Sequence, residues 1–250
     1  MNTNIKMHLL GCISAVLVAG CAHAQEAPAA ESDSAPLLAH YSFATDDAAG
    51  VVVAFDAVMA SCGAGIPARV SILDDMFNGA DPGTHTVIFA HPGPDEMMKT
   101  GETFRSCPAA MAFGETISRL TEPGGDFLGE LVVSGGELAA DNAFMVFQMT
   151  VSDEATYAKA FSAFMEQSQA SGSLSGSYGL VRVLAGGGST MSHYAYFGAS
   201  DLKALLSSVR LLSPEVSASR RAFNKTVSGT RSVQGSSMSV RVKDYAPPSN

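Results

Sequence analysis

The side chains of this sequence best suited to chemistry fall into matched pairs. His85 and His193 each open a short alternating stretch, and each is followed four positions later by a phenylalanine, Phe89 or Phe197. Residues i and i+4 of a strand point the same way, so either histidine would act as a base beside an aromatic wall. The commoner use of such a residue is a hydrogen-bonded histidine at a strand start. Arg69 and Arg182 both alternate with apolar residues. A guanidinium in that setting can grip a carboxylate ligand through two parallel hydrogen bonds, although an internal salt bridge is the more frequent role. Tyr194 and Tyr196 alternate with His193, and are expected on the opposite face, packed against helices.

Other patterns fail on inspection. His91 shares the face of His85, but six residues of extended chain put them roughly 20 Å apart, too far to hold one ion, so neither a metal nor a cofactor is expected. Gly186-Gly187-Gly188 joins two strands and opens no helix, so it lacks the geometry that cradles phosphate. No serine sits in a G-x-S-x-G elbow and no H-E-x-x-H occurs. Asp46-Asp47 and Asp74-Asp75 read as cap and turn residues.

The beginning of the chain reads as an export signal. Lys6 and His8 precede an apolar run from Leu9 to Val18 and a small-residue series ending at Ala24, an order that is too short for a membrane span. Residues 1–24 would be removed at Ala22-His23-Ala24. Alternatively, 1–20 would be removed at Val18-Ala19-Gly20-Cys21, which resembles the lipobox of bacterial lipoproteins and makes Cys21 the lipidation site. Residues 25–37 are rich in Ala, Pro, Ser and acids and suit a flexible tether. The expected location is therefore the cell envelope, anchored by lipid on the periplasmic side of the outer membrane, ahead of a soluble periplasmic or secreted protein. Export leaves Cys62 and Cys107 as an even pair in an oxidising compartment, which predicts a disulfide. Without residues 1–24 the chain carries 14 basic and 24 acidic residues, a balance that repels nucleic acid and anionic headgroups.

An internal duplication organises what remains. Thr45 to Met59 aligns with Val151 to Met165, matching Asp47 with Asp153, Phe55 with Phe161 and Met59 with Met165. Further on, Arg69 is set against Arg182, His85 against His193, Phe89 against Phe197 and Phe113 against Phe223. Two copies, 38–136 and 141–246, follow. Each begins with a short strand and an acid-capped helix bearing an apolar stripe, Val52, Phe55, Met59 and Cys62 in the first. Two strands come next, then a helix, over Pro94 to Phe104 or after a Ser200 cap, then a last strand. This β-α-β-β-α-β order is that of the ferredoxin-like split unit.

Two such units in tandem resemble the dimeric α+β barrel superfamily, which includes the antibiotic-biosynthesis monooxygenase domains. The resemblance implies an α+β fold in which two ferredoxin-like units pack sheet to sheet, here within one chain, with ligands bound between the sheets. It implies that His85, His193, Phe89 and Phe197 could face that space. It also implies that the two helices of a unit run parallel, so that Cys62 and Cys107 could meet. Three functions are compatible: a non-catalytic envelope protein that binds a small apolar or carboxylate-bearing molecule, a cofactor-independent monooxygenase using His85 or His193 as a base, and a structural or partner-binding lipoprotein. The first is the leading expectation.

Overall fold

Local signals place the long helices. Asp47 caps α1 (Ala48–Cys62) by accepting from the Gly50 amide, and Asp153 caps α4 (Glu154–Ala170) by accepting from Thr156, each satisfying an amide that the first turn leaves free. The computed structural model describes residues 34–248 except 80 and 189; the expected export signal over 1–24, with Cys21, lies outside the described residues. Asp201, rather than Ser200, caps α5 (Leu202–Leu211).

The strands are β1 (Leu37–Ala44), β2 (Arg69–Asp75), β3 (His85–His91), β4 (Glu122–Gly135), β5 (Ala143–Val151), β6 (Tyr178–Gly186), β7 (His193–Ala199) and β8 (Arg231–Tyr245). All pairings are antiparallel, and the sheet closes in the order β1-β3-β2-β8-β5-β7-β6-β4. The fold is thus a mixed α+β fold around an eight-stranded closed barrel, with six α-helices among the described residues. The expected α+β barrel closes through hydrogen bonds at two seams, β2 with β8 and β4 with β6. Closure leaves no free sheet edge.

The sequence predicts one helix between the third and fourth strands of each half, and the structure has two. α2 (Pro94–Ser106) and α3 (Pro108–Leu120) break at Cys107, because Pro108 cannot donate to the turn before it but suits a helix start. In the second half α6 (Ala218–Thr226) follows α5, capped by Ser217.

Helices cover the outside of the barrel. Val51, Phe55 and Val58 of α1 pack on Val70, Ile72, Val87 and Phe89. Tyr157, Phe161, Phe164 and Met165 of α4 pack on Leu180, Ala195 and Phe197. Complete burial of a side chain such as Ile72 or Leu180 stabilises by about 1.5–3 kcal/mol relative to exposure. Inside the barrel a smaller apolar group joins the halves: Leu38, Val181 and Tyr194, with Ile88, Phe127 and Val146 against them.

Cys62, the last residue of α1, is disulfide-bonded to Cys107, with the two Cα atoms 6.2 Å apart. A second tie lies beside it, the Thr103 hydroxyl donating to the Gly65 carbonyl at 2.6 Å. Together they fix the junction of α2 and α3 to the end of α1.

Candidate functional site

Between the first-half sheet and its helices lies a cavity of about 650 Å³, within the range of small-molecule sites. Its floor is Ala39 and Phe43 of β1 with Val87, Phe89 and His91 of β3. Phe55 of α1, Thr100 and Phe104 of α2, and Phe113 and Ile117 of α3 form the roof. The rings meet edge to face, Phe55 with Phe113 at 4.7 Å and Phe89 with Phe104 at 6.0 Å between centroids, the preferred aromatic geometry. Gly114 of α3 also lines the cavity, and a Cβ added there would meet nothing within 4 Å.

Ser42, Ser118, Thr121 and Asp126 also line the cavity, and two further polar residues lie buried in it. His91 and Thr100 are 3% and 7% exposed, yet His91 Nδ1 and Thr100 Oγ1 have no hydrogen-bond partner among the described residues. A buried polar atom left unpaired costs about 1–3 kcal/mol, a cost that a bound polar atom would remove. Burial depresses the pKa of His91 below the usual imidazole value, against a smaller upward pull from Glu96. The ring is neutral near pH 7 and able to accept a proton. It stacks on Phe89, 6.2 Å away and 11° from parallel.

The corresponding space in the second half is almost closed, at about 20 Å³. Tyr157, Phe161, Phe164 and Phe223 fill it, and the guanidinium groups of Arg220 and Arg231 lie over those rings at 5.1–5.6 Å. Only the first half keeps its helix-covered space open.

The barrel lumen is a separate hollow of about 810 Å³. His40 Nε2 and the Tyr194 hydroxyl meet across it at 2.5 Å, and His40 stacks on Phe127 at 4.2 Å. Burial lowers the His40 pKa to about 3, so the neutral ring accepts from Tyr194. Because the folded pKa lies below the ordinary histidine value of 6.5, the unfolded chain binds this proton more readily. Stability is then expected to fall as pH drops from 6.5 towards 3. Tm measured across that range tests this, with His40→Gln expected to flatten the curve; an identical acid dependence in the variant would refute the assignment to His40.

The sequence-predicted residues are placed differently from expectation. His85 and Phe89, and likewise His193 and Phe197, face the helices and not the lumen. Tyr194 and Tyr196, expected against the helices, line the lumen. His85 Nδ1 is 2.8 Å from Thr84 Oγ1, and the ring stacks on Phe43. His193 Nδ1 is 2.9 Å from Ser192 Oγ, and its Nε2 is 2.8 Å from Glu154. Both side chains are thus engaged within the protein. Arg69 faces the lumen and is held by Asp244 through two bonds, of 3.0 and 2.6 Å. Arg182 lies on the helix side and pairs with Glu130 and Glu154. The two arginines do not correspond, since Arg69 is paired with Ala90 and Arg182 with His193. Of these eight residues Phe89 alone borders the helix-covered cavity. Among the described residues no three His, Cys, Asp or Glu side chains converge on a metal position.

This barrel is similar in fold to solved α+β barrel proteins. A candidate monooxygenase from Lactobacillus acidophilus superposes with a TM-score of 0.58 at 11% identity, over 85% of this chain and 97% of its own. A candidate monooxygenase from Fusobacterium nucleatum subsp. nucleatum gives 0.56 at 11% identity, over 87% and 97%. An anthrone oxidase-like protein gives 0.54 at 14%, over 88% and 96%. No family model and no curated protein matches the chain.

Proposed function

We propose that this protein is an α+β barrel oxidoreductase of the monooxygenase type, acting on a mainly aromatic small molecule held under the first-half helices. The observation that carries this reading is a ring-lined cavity containing two buried, unpartnered polar groups, His91 Nδ1 and Thr100 Oγ1. Similarity in fold to monooxygenase candidates supports oxidation over binding alone. His91 replaces His85 and His193 as the base, because those two already have partners.

The residues suggest a simple division of labour. A substrate carbon flanked by rings and a carbonyl gives up a proton to neutral His91, while the Thr100 hydroxyl donates to the oxygen where charge collects. The electron-rich carbon then reduces dioxygen, so that a CH₂ group and O₂ become a carbonyl and water, with all electrons supplied by the substrate. The apolar walls keep bulk water from the charged intermediate. Dioxygen uptake with anthrone as the probe tests this: the expectation is one O₂ consumed per carbonyl formed, and uptake no faster than without protein would overturn it.

We also infer that the barrel is a fusion of two ferredoxin-like units, 38–136 and 141–246. The matching strand orders β4-β1-β3-β2 and β8-β5-β7-β6, the Asp47 and Asp153 caps, and the Thr84-His85 and Ser192-His193 contacts support this. Export with lipidation at Cys21 is supported by the signal-like residues 1–24 and is compatible with the Cys62–Cys107 disulfide. Labelled palmitate is expected in the wild type and not in Cys21→Ala; an unlabelled wild type would return the protein to the soluble periplasm or beyond.

A further inference from the structure

The barrel lumen plays no part in the chemistry above, although it is the larger of the two cavities. Its inner charged groups, Arg69, Asp75, Arg241 and Asp244, are already compensated. Arg69 is gripped by Asp244, which also accepts from Ser71 at 2.8 Å. Asp75 accepts from Thr86 and Ser239, each at 2.6 Å. Arg241 donates to the carbonyls of Leu138 and Ala139 with its guanidinium over Phe144. An anion would have to displace Asp244 from a two-bond contact, and a cation would have to strip both hydroxyls from Asp75. Either change leaves a partly buried charge or donor without its partner, at a cost that a single new contact does not recover. Asp81 and Asp126 also line the lumen, but both are exposed, where water and salt screen them and an ion gains little from either.

Neutral hydrogen-bonding groups line it as well: the Tyr196 hydroxyl, the Ser237 hydroxyl and the Gln148 amide. Apolar and ring surfaces share the lining: Ile88 and Phe127 from the first half, and Tyr194 beside Tyr196. We propose that the lumen is a second binding site, taking a neutral molecule with an apolar ring face and hydroxyl or carbonyl groups. The first half supplies Ile88 and Phe127 and the second supplies Tyr194, Tyr196 and Ser237, so the site exists only in the closed barrel.

Calorimetric titration of the full chain at pH 7 with 2-naphthol, 2-naphthoate and 2-naphthylmethylammonium tests this. Ala39→Phe blocks the helix-covered cavity, and Gly114→Leu serves if that variant does not fold. In the blocked chain 2-naphthol is expected to keep a site, with the carboxylate and the ammonium at least tenfold weaker. Tyr196→Phe should weaken naphthol binding about fivefold, and Ile88→Trp should abolish it. Loss of all naphthol binding on blocking the helix-covered cavity would overturn the proposal. So would equal affinity for either ion, an unchanged affinity in Tyr196→Phe, or binding that survives Ile88→Trp in a chain with unaltered circular dichroism. None of these readouts depends on oxidation, so the lumen site and the proposed activity stand or fall separately.

Discussion

Serine at both Cys62 and Cys107 is expected to lower the unfolding free energy by about 4 kcal/mol, and Tm by about 10 °C, in the chain-entropy view of a cross-link. The bridge joins residues 45 positions apart and closes a loop containing β2, β3 and α2. The local effect should be larger still at α2. Of its thirteen residues Thr100 alone is fully buried, so the helix has little packing of its own. The disulfide and the Thr103–Gly65 hydrogen bond hold its C-terminal end. Amide exchange over 94–106 should therefore accelerate more than exchange in α4, whose buried face includes Tyr157, Phe161, Phe164 and Met165. Equal acceleration in both helices, or an unchanged Tm, would contradict this.

His91→Ala is expected to lower kcat/KM at least 100-fold, the contribution typical of a positioned base. Thr100→Val should lower it about tenfold while leaving stability unchanged or improved, because it removes a buried hydroxyl that has no partner. An ordinary structural threonine would give the opposite pattern. The pH profile supplies an independent check. Only neutral His91 accepts a proton, and its folded pKa lies below the ordinary histidine value of 6.5. The rate should thus rise with pH through that depressed value and be level above 6.5. Glu96 pulls the pKa upward, so Glu96→Gln should move the acid limb to still lower pH. A limb at or above 6.5, or one unmoved by Glu96→Gln, would exclude His91 as the base.

Much of the architecture was legible in the sequence. The capping aspartates, the apolar stripe of α1 and the repeated order of elements led to an α+β barrel, and the even cysteine pair led to the Cys62–Cys107 contact. The site was not legible, for identifiable reasons. Strand alternation says which residues share a face, but here both faces are covered, one by helices and one by the far wall of the barrel. Tyr194 is as buried as Phe197, so hydrophobicity could not tell inside from outside. The direction assigned to His85 and His193 was reversed as a result. Arg69 and Arg182 were matched by a short resemblance of flanking valines, which the strand register does not respect. His91 was weighed only as a metal ligand. What marks it is the lack of a partner in a buried place, a property of the assembled α2 and β3 that spacing along the chain does not encode.

The central claim is that oxidation takes place under α1, α2 and α3, and filling that space tests it most directly. Dioxygen uptake with anthrone should be compared in the wild type and in Ala39→Phe, after circular dichroism has shown that both are folded. The wild type should consume one O₂ per carbonyl formed, and the filled variant should fall to the rate without protein. Uptake at the wild-type rate in the filled variant would contradict it and place the chemistry elsewhere in the barrel.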